Sequence, residues 1–144
     1  MRTYLSVLGL AAVMLACSQD KDKVLELEGK VLMIHDEIMP RMDEIMSLKM
    51  KLSKKIVQMD SLQNEGISGN NIAEERIKAV DLNQKLNESD KLMMSWMNEY
   101  KGDSAKKLKP EDAIVYFENE QKKIEEVKQI TIKSINEAKS FLEN

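Results

Sequence analysis

The stretch VLELEGKVLMIHDEIMPRMDEIMSLKMKLSKKIVQMDSL, residues 24–62, decides the fold. Apolar residues recur every seven positions along it: Val24, Val31, Ile38, Ile45, Leu52 and Met59. A second set lies three residues on, at Leu27, Ile34, Leu48 and Leu62, and is interrupted by Arg41 and Lys55. Such an a/d seam belongs to an amphipathic helix that needs another helix to cover it. The spacing predicts one helix from Lys21 to Asn64, roughly 60 Å long at about 1.5 Å per residue. Pro40 falls inside it. A proline there removes one backbone hydrogen bond and crowds the carbonyl four residues back, that of Asp36, so a kink is expected.

The rest of the chain reads as partners for this helix. Gly66 and Gly69, with Ser68, Asn70 and Asn71, make the clearest break. Asn71 suits an N-cap, with Glu74 three residues later as its capping-box partner. A second helix is expected over 72–101, with Ile72, Ala79, Leu86, Met93 and Tyr100 seven apart. Its weak point is 87–90, where short polar side chains compete for the backbone. Gly102 suits a left-handed residue just past the helix end, and 103–109 is read as a connection. Pro110 fits a first helical position, followed by Glu111 and Asp112 on the favourable end of the dipole. The third helix runs to about Leu142 and is expected to bury Phe117, Ile124, Val127, Ile130, Ile135, Ala138 and Phe141 or Leu142. The expected fold is all-α: three long helices in an up-down-up antiparallel bundle or coiled coil over 24–144, preceded by a cleaved signal helix. A helical hairpin that dimerises would satisfy the same heptads.

Composition agrees. The chain has 144 residues, enough for one domain, and is 33% charged and 4% aromatic, with five Gly and two Pro. A net charge of −3 gives no basic surface for nucleic acid. A single Cys precludes an intramolecular disulfide. No His-Glu-x-x-His, Glu-x-x-His, nucleophile elbow or glycine-rich phosphate loop is present. The expectation is therefore a protein without catalysis.

The N-terminus carries its own pattern. Met1 and Arg2 form a short positive segment, and residues 4–15 are apolar or small. That run is too short to cross a bilayer as a helix, which takes about 20 residues, and has the proportions of a signal-peptide core. Met14-Leu15-Ala16-Cys17 resembles a lipobox, the recognition sequence of bacterial lipoprotein signal peptidase. By that resemblance residues 1–16 are a lipoprotein signal peptide, and Cys17 carries the lipid and becomes the mature N-terminus. Stable anchoring then follows from more than one acyl chain. Residues 17–23 would be a polar tether similar to the acidic, lysine-containing tracts of some surface-exported lipoproteins. A plain secretory signal or a buried free Cys17 are the alternatives.

One constellation could carry chemistry. Eleven methionines occur, nine of them after residue 17. A fold-back at 67–68 makes antiparallel partners sum to about 135, placing Met42 opposite Met93, Met39 opposite Trp96 or Met97, and His35 opposite Tyr100. Thioether sulfur and imidazole are a soft ligand set suited to Cu(I), so His35, Met39, Met42, Met93 and Met97 are candidate metal ligands, with Trp96 as a cover. The same methionines also serve as flexible core filler, as a plastic groove for a partner helix or as an oxidant sink.

His35-Asp36-Glu37-Ile38-Met39-Pro40, Met93-Met94-Ser95-Trp96-Met97 and the Glu/Lys-rich last helix together resemble a group of small Bacteroidota lipoproteins of unknown function. Some of these are labelled "viral A-type inclusion protein". The resemblance implies an envelope location, at the outer membrane or cell surface, and a helical fold, and supplies no activity. The expected protein is a lipid-anchored structural or interaction module, engaging a protein partner or a second copy through its helical faces. A soft-metal protein using the Met/His cluster is the alternative.

Overall fold

The computed structural model describes residues 5–67 and 69–143, with side chains from residue 19 onward apart from Asn70. It is all-helical: α1 (Leu5–Ile38), α2 (Arg41–Asn64), α3 (Asn70–Glu99), the single turn α4 (Gly102–Ala105) and α5 (Pro110–Glu143). The three-helix expectation holds, with the first helix divided in two. The break is at Met39-Pro40. Met39 N–H still bonds the carbonyl of His35 at 3.0 Å, Pro40 has no N–H to continue the ladder, and Met42 N–H turns back to Met39 at 3.1 Å. Residues 18–23 are helical and continuous with the rest of α1, into which the 5–16 segment runs without a break. Met1 and Arg2, and the side chain of Cys17, lie outside what is described.

The seam is buried as the heptads require. Val24, Val31, Ile38, Ile45, Leu52 and Met59 are all buried, as are Leu27, Ile34 and Leu48, while Leu62, in the last turn of α2, is exposed. Helix α2 packs mainly on α3, α1 mainly on α5, and α3 on α5. The α2–α3 register is the antiparallel one expected. Arg76 pairs with Asp60, Lys55 with Glu75 at 3.6 Å, Lys49 with Asp90 at 3.6 Å, and Asn83 donates to Ser53 at 3.1 Å.

The core has two clusters. The upper joins Val24, Leu27, Val31, Ile34 and Ile38 of α1 to Met93, Trp96, Ala105, Ala113, Phe117, Ile124 and Val127. The lower joins Ile45, Leu48 and Leu52 of α2 to Ala79, Leu82, Leu86, Ile135, Ala138 and Phe141. Met42, just below the proline, packs against both. Between them lie buried polar residues. Ser89 Oγ donates to the Lys85 carbonyl and meets Ser134 Oγ, both at 3.1 Å, while Thr131 Oγ1 is buried without a partner. That local bonding absorbs the polar stretch 87–90, and α3 runs through it unbroken.

The helix ends differ from expectation in two places. The α3 N-cap is Gly69, with no side-chain cap, so the Asn71–Glu74 capping box does not form. Gly102 is not left-handed; among the described residues only Gly66 has positive φ, at 79°. Gly102 is required by space instead, since a Cβ there would lie 2.6 Å from Tyr100 Oη. The connection expected after it holds the turn α4, whose Ala105 plugs into the upper core. Pro110 does open α5, with Glu111 and Asp112 in its first turn.

Candidate functional site

The candidate ligands separate when placed. His35, on the last turn of α1, reaches across to α3 and puts Nε2 3.4 Å from Met97 Sδ. Its Nδ1 lies 2.9 Å from Asp36 Oδ1. Met93, one turn before Met97, is fully buried, and Met42 packs against the same upper cluster. Met39 stands apart. It is 36% exposed in the turn that the proline creates. His35 was expected opposite Tyr100; it meets Met97 and Trp96 instead, about one helical turn away. The cause is the break. Above it α1 leans on α5, the α1 and α3 backbones scarcely approach each other, and long side chains span the gap.

Those side chains form an aromatic column. His35 and Trp96 have ring centroids 5.6 Å apart, and Trp96 stacks on Tyr100 at 5.0 Å. Tyr100 neighbours Tyr116 at 6.4 Å, and Tyr116 meets Phe117 edge-on at 5.2 Å. The Lys101 backbone N–H donates to Tyr116 Oη at 2.6 Å and ties the end of α3 to α5. Trp96 Nε1, Tyr100 Oη and Glu120 Oε2 are buried without hydrogen-bond partners. Burial, and then the Glu28 carboxylate, push the Tyr100 phenol up to about 12. Burial raises Tyr116 as well, against the pull of the Lys101 N–H.

The His35–Met97 contact has a definite chemistry. If the neutral imidazole donates its Nδ1–H to Asp36, Nε2 turns a bare lone pair to a thioether sulfur. Two electron-pair donors then face each other, which a proton or a soft cation between them would relieve. Nitrogen at about 2.0 Å and sulfur at about 2.3 Å on one tetrahedral ion are about 3.5 Å apart. The pair is thus spaced for one ion. Among the described residues no group of three or more His, Cys, Asp or Glu side chains gathers to hold a metal, so further ligands would have to be thioethers such as Met93.

A second feature, not anticipated, lies on the outside of α1 and α2. Of the large apolar side chains left exposed among the described residues, Leu25, Leu32, Met33, Met39, Met46, Met50, Val57 and Leu62 lie on this helical arm, against Ile77 and Met94 on α3, Val115 on α5, and Ile67 and Leu108 in connections. Leu25, Leu32, Met39 and Met46 are seven apart, and Met50 and Val57 continue the line after one four-residue step. The signal was in the heptads. Each of the first four directly follows a seam residue, Val24, Val31, Ile38 or Ile45, so it points well away from the core. No described helix is long and apolar enough to cross a membrane. No protein-family model, curated protein or solved structure matches this chain.

Proposed function

We propose that this protein is a lipid-anchored, non-catalytic interaction module of the bacterial cell envelope, held at Cys17 and binding through the outer face of α1 and α2. The observation that carries the interaction half is the exposed stripe from Leu25 to Val57. An ordered line of half-exposed large side chains on one face is what an unfilled helix interface looks like, whereas scattered ones are ordinary. The anchoring half rests on the lipobox-like Met14-Leu15-Ala16-Cys17. Cys17→Ser should move the protein from the membrane to the soluble fraction, and retention on membranes would refute the anchor. Met46→Glu with Met50→Glu should abolish cross-linking from this face in intact envelopes. Unchanged cross-links would refute the interface.

The His35–Met97 approach favours a second reading, a Cu(I) site built from His35, Met97 and Met93, with Met42 at its edge. Titration with Cu(I) against a chelator should then show one site. Its affinity should fall at least tenfold in Met97→Leu, a swap that keeps the volume and removes the sulfur. Equal binding by the variant would sink the site. Met39, exposed in the turn, is not among its ligands.

A further inference from the structure

We infer that a second copy of this chain covers the outer stripe, running antiparallel, so that Leu32 meets Val57 and Met39 meets Met50 across a two-fold axis. This rests on the interaction reading and names its partner. Three observations support it.

The first is spacing. A two-fold interface must be self-complementary, with residue i on j and j on i. Leu32 and Met39 are seven apart, as are Val57 and Met50, so a two-fold axis beside Met46 sets Leu32 on Val57 and Met39 on Met50. Those two pairs keep the helical heptad period, while Met46 falls beside Asp43 and Leu25 lies beyond the paired stretch, level with Asn64.

The second is charge. Above the middle of the stripe stand Asp36, Glu37, Asp43 and Glu44, against Arg41 alone. Below it stand Lys49, Lys51, Lys54 and Lys55, and no acid occurs between Ile45 and Met59. Several of these are engaged within the chain: Glu37 with Lys128, Glu44 with Lys139 and Arg41, Lys49 with Asp90, and Lys55 with Glu75. Asp43, Lys51 and Lys54 are exposed and have no ion-pair or hydrogen-bond partner among the described residues. A parallel copy would set like charge on like. An antiparallel copy sets the acidic half on the lysine half, with Lys54 and Lys51 flanking the level of Asp36 and Glu37.

The third is extent and adaptability. A standard interface takes about 800 Å² from each partner, the scale of seven large, partly exposed side chains with their charged flanks. Four of the seven are methionines, Met33, Met39, Met46 and Met50, whose unbranched side chains repack readily against copies of themselves.

The test uses the full-length chain in its own envelope, with cysteine placed at positions 39 and 50 and mild oxidation. Chains carrying Met39→Cys mixed with chains carrying Met50→Cys should give a disulfide-linked dimer at least tenfold above either alone. Adding Met46→Glu should cut that yield at least tenfold. Light scattering on the detergent-solubilised wild type should give twice the protein mass of the chain, 16.5 kDa. Dominant 39–39 and 50–50 links would overturn the antiparallel arrangement, and a monomer without cross-links would overturn the second copy altogether. In that last case, stripe-dependent cross-links to another molecule would leave the interaction reading standing, and their absence would remove both.

Discussion

Met93 is the residue on which the upper core turns, and truncating it gives a sharp prediction. Its side chain is 0% exposed and belongs to the upper cluster, with Val31, Ile34 and Ile38 of α1, Trp96 of α3 and Phe117 and Ile124 of α5. Met93→Ala removes three heavy atoms, worth about 2.4 kcal/mol at about 0.8 kcal/mol for each methylene-sized group. A residual cavity on the order of 50 Å³ adds about 1 kcal/mol at about 24 cal/mol per Å³. The expected loss is about 3.5 kcal/mol, or a fall in Tm of about 10 °C for a chain of this size. Met93→Leu keeps the volume and should cost less than about 1.5 kcal/mol. Met39→Ala, at 36% exposure in the turn, should stay within about 0.5 kcal/mol. Urea unfolding followed by circular dichroism would read all three, and the slope with denaturant should not change. If Met93→Ala costs no more than Met39→Ala, Met93 does not join α1, α3 and α5, and the packing described here is wrong.

Two other substitutions probe polar groups. Thr131 Oγ1 is buried without a partner, so Thr131→Val, which keeps the shape and removes the hydroxyl, should stabilise by about 1 kcal/mol; a lower urea midpoint would mean that the hydroxyl is satisfied. Tyr100 should make the fold sensitive to alkali. Its phenol ionises at about 12 in the fold against 10.0 as a model value, so the folded state holds the proton that the unfolded chain gives up. Stability linked to Tyr100 is therefore intact below 10 and is lost as pH rises through about 12. Several lysines with raised values, such as Lys85 and Lys106, add to the alkaline loss. The informative quantity is accordingly the difference between wild type and Tyr100→Phe, whose midpoint should fall less steeply above pH 10. Parallel curves would refute the assignment.

The seam was readable because a heptad in which every seventh residue is apolar leaves the helix only one way to bury it, and all six of its residues are buried. The α2–α3 register was readable for a related reason: a short glycine-bearing turn leaves little slack, and Arg76–Asp60 and Asn83–Ser53 fall where a fold-back at 67–68 puts them. What could not be read is how far a proline re-aims the helix before it. Pro40 announced a bend and not its direction, and that direction sets α1 on α5, moves His35 from Tyr100 to Met97 and leaves Met39 outside. The Gly102 assignment failed because turn statistics describe backbone freedom, while here the neighbouring Tyr100 ring occupies the space a side chain would need. The outer stripe is the same seven-residue period shifted by one position, a second face that burial of the seam does not by itself call for.

The division of the core at Met39-Pro40 bears on how the protein would carry a mechanical load. Tension entering at the N-terminal end would run down α1, which is held mainly along α5, with salt bridges Lys23–Glu118 and Lys128–Glu37 along it. Met42, which packs against both clusters, ties the top of α2 to that contact. A steady pull would strip α1 away as a first event and stop at the proline, leaving α2 clasped to α3 as a shorter, still folded stub that yields only at higher force.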